Sequence, residues 1–164
     1  MRVVLLLLAW LTVAASANAQ DLVGRDRFWF GAGFGLGSEE FGVQLNGSYQ
    51  FGGNLISVRT AVAAELFDDG FNDYALLYGR SLVPRYKRYH ISAGTGIALV
   101  EGCTGDGFLG GCDRAKTVIG LPLELQAFWR PGRWLGLGLY GFANLNQTRS
   151  FAGATLGFQL GRMR

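Results

Sequence analysis

His90 and Ser92 are the residues whose spacing most invites chemistry. On an extended segment, positions i and i+2 share a face, and an imidazole beside a serine hydroxyl can act as general base for acyl transfer. Cys103 and Cys112 flank Thr-Gly-Asp-Gly-Phe-Leu-Gly-Gly. That flexible stretch lets a disulfide close in an oxidising compartment, whereas two cysteines without clustered histidines make a poor zinc site. Asp68, Asp69 and Asp73 could gather a divalent cation, but they read better as a solvated loop. The glycine patterns at 105–110 and 136–141 have the spacing of a dinucleotide fingerprint. Neither has the strand before, helix after and downstream acid that such a site needs, so no cofactor is expected.

The elements that must carry these residues are strands. In Phe41-Gly-Val-Gln-Leu-Asn-Gly-Ser-Tyr-Gln-Phe51, Phe41, Val43, Leu45, Tyr49 and Phe51 fall on one face, and Gly42, Gln44, Asn46, Ser48 and Gln50 on the other. Period-two alternation of that length is a strand signature. It recurs about eight times, predicting strands over 28–38, 40–51, 54–66, 72–83, 89–101, 116–130, 133–146 and 149–161. Gly52-Gly53-Asn54, 84–88 and Pro131-Gly132 punctuate alternate hairpins with turn chemistry. The longest connection is 102–115.

Composition bounds the setting. Charged residues are 16% of 164, well under the usual figure of about 25%, while glycine numbers 26. Residues 1–19 place Arg2 before an apolar core and end on the small-residue site Ala17-Asn18-Ala19, the layout of a secretory signal peptide. The apolar core is shorter than the roughly 18 residues of a membrane helix. Residues 20–164 then form one domain. The net charge of +3, about +2 once Arg2 is removed, gives no reason to expect a nucleic-acid partner.

Alternation alone does not say which face is inside. Eight strands enclose a space that side chains just fill. Several dozen large apolar residues do not fit there, whereas Gly, Ser, Gln and Asn do. The apolar face therefore meets lipid, and the fold expected is an all-β, eight-stranded antiparallel up-and-down transmembrane β-barrel. Phe28, Phe30, Tyr49, Phe51, Tyr86, Tyr89, Trp129 and Trp134 would form an aromatic girdle at the end where the termini lie, with Phe41, Phe67, Phe71, Tyr74, Phe142 and Phe151 at the other.

On this pattern, together with Leu121-Pro122-Leu123-Glu124-Leu125 and the spaced hydrophobes of Gly153-Ala-Thr-Leu156-Gly-Phe158, the chain resembles the small outer-membrane β-barrels of the OmpA and OmpX type. The resemblance implies outer-membrane localisation in a Gram-negative-type cell, insertion by the barrel assembly machinery, and contact with outer-membrane lipids and lipopolysaccharide. The His-x-Ser pair resembles that of the lipid A deacylase barrels, but no Asn follows Ser92 and the pair sits at the periplasmic end facing the lumen. No enzymatic activity is expected. A structural or surface-contact role leads, with a surface partner reached through 102–115. A lipid A-modifying enzyme and a small pore or ligand-binding barrel are the alternatives.

Inside, Gly31, Gly33, Gly35 and Gly37 would make a bare wall facing Ser57, Arg59, Glu65, Arg80, His90, Ser92, Glu124 and Gln126. Buried charges need partners. Arg59, Glu65, Arg80 and Glu124 are expected to form an ionic plug, with Glu124 paired to Arg59 or Arg80. Pro122, which cannot donate a ladder hydrogen bond, predicts a bulge or local bend.

Overall fold

The computed structural model describes residues 26–38, 41–64, 70–82, 88–104, 113–114, 117–148 and 150–163. The segment expected to be a signal peptide lies outside them, as do Glu65, Phe67, Asp68, Asp69, Tyr86 and Cys112. Every regular element described is a strand: β1 (Arg27–Gly37), β2 (Phe41–Phe51), β3 (Asn54–Ala64), β4 (Gly70–Ser81), β5 (Tyr89–Thr104), β6 (Asp113–Arg114), β7 (Val118–Trp129), β8 (Leu135–Asn146) and β9 (Phe151–Arg162). β6 and β7 are two pieces of one barrel strand, both paired with β5. Neighbours in sequence pair antiparallel, and β9 returns to β1, so the eight-stranded sheet has no free edge.

Its geometry can be read from one circuit of paired residues. Starting at Arg27, the rungs run through Gln50, Leu55, Gly79, Gly94, Glu124, Phe142 and Gly153 and return to β1 at Gly37. The circuit closes ten residues from its start, a stagger that tilts eight strands by about 40–45°. A tilted 11- or 12-residue strand is long enough to cross hydrocarbon.

The expected faces hold. Leu45 is 53% exposed and Gln44 only 2%. Phe30, Phe34, Leu76, Leu125, Leu139 and Leu156 point outward, while Gln44, Asn46, Ser48, Ser57, Arg59, Gln126, Asn144 and Gln159 are buried within. The interior also takes apolar side chains that the strand pattern did not assign there. Trp29, Leu55, Phe128 and Met163 cluster at the end where β1 starts and β9 finishes, here called the terminal end. Ala61, Ala63, Val100, Tyr140, Phe142 and Phe151 cluster at the opposite end.

Phe142 and Phe151 correct the expected outer girdle. The parity that turns Gly136 and Gly138 inward on β8 also turns Phe142 inward, and the parity of Gly153 and Gly157 does the same for Phe151. Gly153 leaves the room this needs: a Cβ there would lie 2.8 Å from Phe142 Cε1.

Two local expectations change. Pro122 faces inward and is buried, as its parity requires, and the ladder beside it opens without the extra residue of a bulge. Between Thr95–Leu123 and Ala98–Gly120 the β5–β7 ladder skips Gly96 and Ile97, then resumes in the same register. The Thr95 hydroxyl donates to the Pro122 carbonyl at 2.9 Å, and the β7–β8 side stays paired throughout. The register slip lies elsewhere. Three positions separate Val100 from Cys103 but four separate their partners Val118 and Arg114, so one extra residue is accommodated between β6 and β7. The expected 102–115 loop is correspondingly shorter, since β5 runs to Thr104 and pairs with Asp113.

Because Leu45 and Gln44 are sequence neighbours on opposite faces, they test the orientation directly. Leu45→Arg should destabilise the membrane-inserted barrel by roughly 2–4 kcal/mol in reversible unfolding from bilayers, and Gln44→Ala by clearly less.

Candidate functional site in the barrel lumen

Inward side chains meet near mid-barrel because the tilt brings several strands to the same height. Glu124 of β7 is the hub, buried at 5% exposure. It accepts hydrogen bonds from Ser57 at 3.0 Å, from Gln126 at 2.6 Å and from the Tyr140 hydroxyl. Donors continue outward from it. Asn46 donates to Ser48 at 2.9 Å, Ser48 to Ser57 at 3.3 Å, and the Trp29 indole to Gln126 at 3.2 Å. Strands β1, β2, β3, β7 and β8 are thereby tied through the centre. A buried carboxyl with this many donors is held without a cation.

That arrangement overturns the expected Glu124–arginine pair. Arg59 forms its ion pair with Asp73, both side chains fully buried. Its Nε donates to Asp73 Oδ1 at 3.2 Å, and its Nη1 crosses to the Leu123 carbonyl at 2.8 Å. Asn144 completes the group by donating to Asp73 at 3.0 Å. Register explains the preference. Asp73 is paired with Ala61 on the neighbouring strand, so it stands diagonally from Arg59 on the same inner face, within reach of a long side chain. Glu124 is on the opposite wall.

Asp73 is therefore a lumen residue and not part of a solvated acidic loop. Its signal was present in its parity with Ala75, Leu77 and Gly79, opposite the exposed Tyr74, Leu76 and Tyr78. Arg80 is corrected by the same parity. It shares the outward register of Tyr78 and Leu76, at the terminal end of β4, and does not join the lumen group. No cluster of three or more metal-ligating side chains occurs among the described residues.

His90 and Ser92 both face inward on β5, buried at 3% and 0%. The imidazole stacks on Phe128 with centroids 4.6 Å apart and meets the edge of Trp29 at 5.2 Å. Neither His90 Nε2 nor Ser92 Oγ has a hydrogen-bond partner among the described residues, so the contact an activated nucleophile requires is absent between them. The barrel wall also separates both groups from the lipid phase. The 136–141 glycine pattern lies within β8, with no helix after it. The 105–110 pattern lies outside the described residues. For the cysteine pair, Cys103 stands in β5 opposite Arg114, and Cys112 is outside the described residues.

The lumen thus has three layers. The polar network and the Arg59–Asp73–Asn144 group occupy the middle, and an apolar cluster covers each end. A polar interior and an apolar exterior, in a closed eight-stranded sheet, define a small membrane-type β-barrel. No protein-family model and no curated protein sequence matches the chain significantly. Among solved structures, the fold is similar to the crystal structure of Neisserial surface protein A, NspA, with a TM-score of 0.59 and 12% identity. The match covers 85% of this chain and 96% of NspA.

The buried ion pair generates a double-mutant test. Asp73→Leu strands the Arg59 guanidinium and should cost about 3–5 kcal/mol, while Arg59→Met with Asp73→Leu should recover most of that loss. Equilibrium unfolding of the singles and the double in detergent micelles or bilayers measures both.

Proposed function

We propose that this protein is an integral outer-membrane β-barrel with a structural or surface-contact role and no enzymatic activity. The observation that carries the reading is the inverted distribution of side chains: a largely apolar exterior around a polar middle layer, with apolar clusters inside both ends. An exterior of exposed Leu, Phe and Val side chains suits hydrocarbon and would aggregate in water. The similarity to NspA, whose name describes a surface protein, fits the same setting.

In this reading the chain is exported by a signal peptide over residues 1–19 and inserted by the barrel assembly machinery. Its termini lie in the periplasm. The hairpin tip around 102–115, closed by a Cys103–Cys112 disulfide, reaches the lipopolysaccharide side and is the surface for any protein partner. The polar middle layer serves to specify one interior packing and not to conduct, a reading supported by the buried Trp29, Phe128 and Met163 on one side of it and Tyr140, Phe142 and Phe151 on the other.

Catalysis by His90 and Ser92 is disfavoured by their enclosure. The lipid-modifying alternative would return if the purified barrel removed acyl chains from lipid A and His90→Ala abolished that activity.

The protein extracted from outer-membrane fractions should migrate differently on gels before and after boiling, as a closed barrel resists unfolding by detergent. In planar bilayers it should show no stable conductance. A mobility that ignores boiling would reject the embedded barrel, and steady single-channel steps would reject the sealed lumen.

A further inference from the structure

Three exposed arginines fall on one side of the barrel at the terminal end. Arg88 precedes β5, Arg133 precedes β8, and Arg162 ends β9, so all three stand on the contiguous arc formed by β5, β7, β8 and β9. All three are exposed. Arg162 shares the outward parity of Leu156, Phe158 and Leu160, and its rung partner on β1 is the exposed Phe28. Tyr89, Trp129 and Trp134 are interleaved with these arginines and exposed, Trp134 at 61%. Across the barrel at the same level stand Arg27, Arg80 and Asp26, with Tyr49 donating to Asp26 at 2.6 Å and Tyr78 to Asn54 at 2.8 Å.

The arc is also braced. Arg130 turns inward and donates to the carbonyls of Met163 at 2.8 Å and Tyr89 at 3.3 Å, joining the ends of β5, β7 and β9. The Arg130 amide donates to the Arg88 carbonyl at 2.6 Å, and the Met163 amide to the Arg133 carbonyl at 3.1 Å. The backbone positions of the three exposed arginines are therefore fixed relative to one another. No carboxylate occurs among the described residues of this arc at the terminal end.

We infer that this arginine–aromatic arc is a binding surface for anionic phospholipid headgroups. Guanidinium groups match phosphate oxygens through paired hydrogen bonds, and interfacial Trp and Tyr rings hold the neighbouring acyl chains at the depth where those phosphates lie. A soluble anionic partner fits less well, because the aromatic rings face the hydrocarbon side. A net anionic headgroup is preferred over a zwitterionic one, whose ammonium would meet three cations with no carboxylate beside them among the described residues. The inference rests on the bilayer placement proposed above.

Tryptophan is a built-in probe. In the exported chain, from which Trp10 is removed with residues 1–19, Trp129 and Trp134 face lipid while Trp29 is enclosed. The protein, reconstituted in bilayers, is quenched with brominated phosphatidylglycerol or brominated phosphatidylcholine. At low salt the anionic lipid should be favoured by about fivefold, and added salt should reduce that preference. Arg88→Gln, Arg133→Gln and Arg162→Gln together should bring it to parity, whereas Arg114→Gln at the opposite end should leave it intact. The heat-dependent gel shift verifies that each variant retains its barrel. Equal quenching in the parent, or a preference that survives the triple substitution, overturns the inference. Quenching by neither lipid would instead overturn the bilayer placement itself.

Discussion

A backbone crossing hydrocarbon has no solvent to take up its N–H and C=O groups, so a sheet there must satisfy every strand from both sides. In this chain that demand is met where β9 pairs with β1 from Phe28–Arg162 to Gly37–Gly153. The ten-residue stagger, the tilt and the height at which inward residues meet all depend on that closure. So does the lumen network: Glu124 collects donors from strands that are distant in sequence and become neighbours only in a closed ring. Pro122 shows how much interruption is tolerated. It lies where two rungs on one side are given up, the other side remains paired, and the nearby Thr95 hydroxyl supplies a donor to the Pro122 carbonyl.

The interior combines two solutions to burial. Apolar clusters at the ends need no partners and exclude water, while the middle layer keeps polar side chains in one arrangement through mutual hydrogen bonds. Neither would suffice alone. A wholly apolar interior would reduce the contrast between the two faces of each strand, weakening the register that one-residue alternation specifies. A wholly polar interior would leave Asp73 and Glu124 open to water at the ends.

Strand positions were legible in the sequence because period-two alternation is local, and every predicted strand overlaps an observed one to within a few residues at its ends. The inward face was legible because large apolar residues outnumber the places for them inside eight strands. Partner choice was less so. Arg59 and Asp73 meet through the β3–β4 register, a nonlocal quantity that spacing along the chain does not express. Phe142 and Phe151 show another limit: aromatic character near a strand end suggested a girdle, and parity overrode it. Trp29 was missed similarly, standing between the outward Phe28 and Phe30 where a continuous aromatic run hides alternation. Arg80 was drawn toward the lumen by its charge, although its register with Tyr78 placed it outside.

The glycines of β1 and β9 carry one more consequence. Gly31, Gly33, Gly35 and Gly37 stand along the seam with Gly153, Gly157 and Gly161, and a Cβ at Gly33 would press to 2.6 Å from Thr155 Oγ1. These are the first and last strands, whose pairing closes the ring. At those glycines neither strand sends a side chain inward, while Trp29 of β1 and Phe151, Thr155 and Gln159 of β9 fill the rest of the seam. Gly153 leaves space for Phe142 and Gly33 for Thr155, so a larger residue at either position would press on the seam that closes the ring.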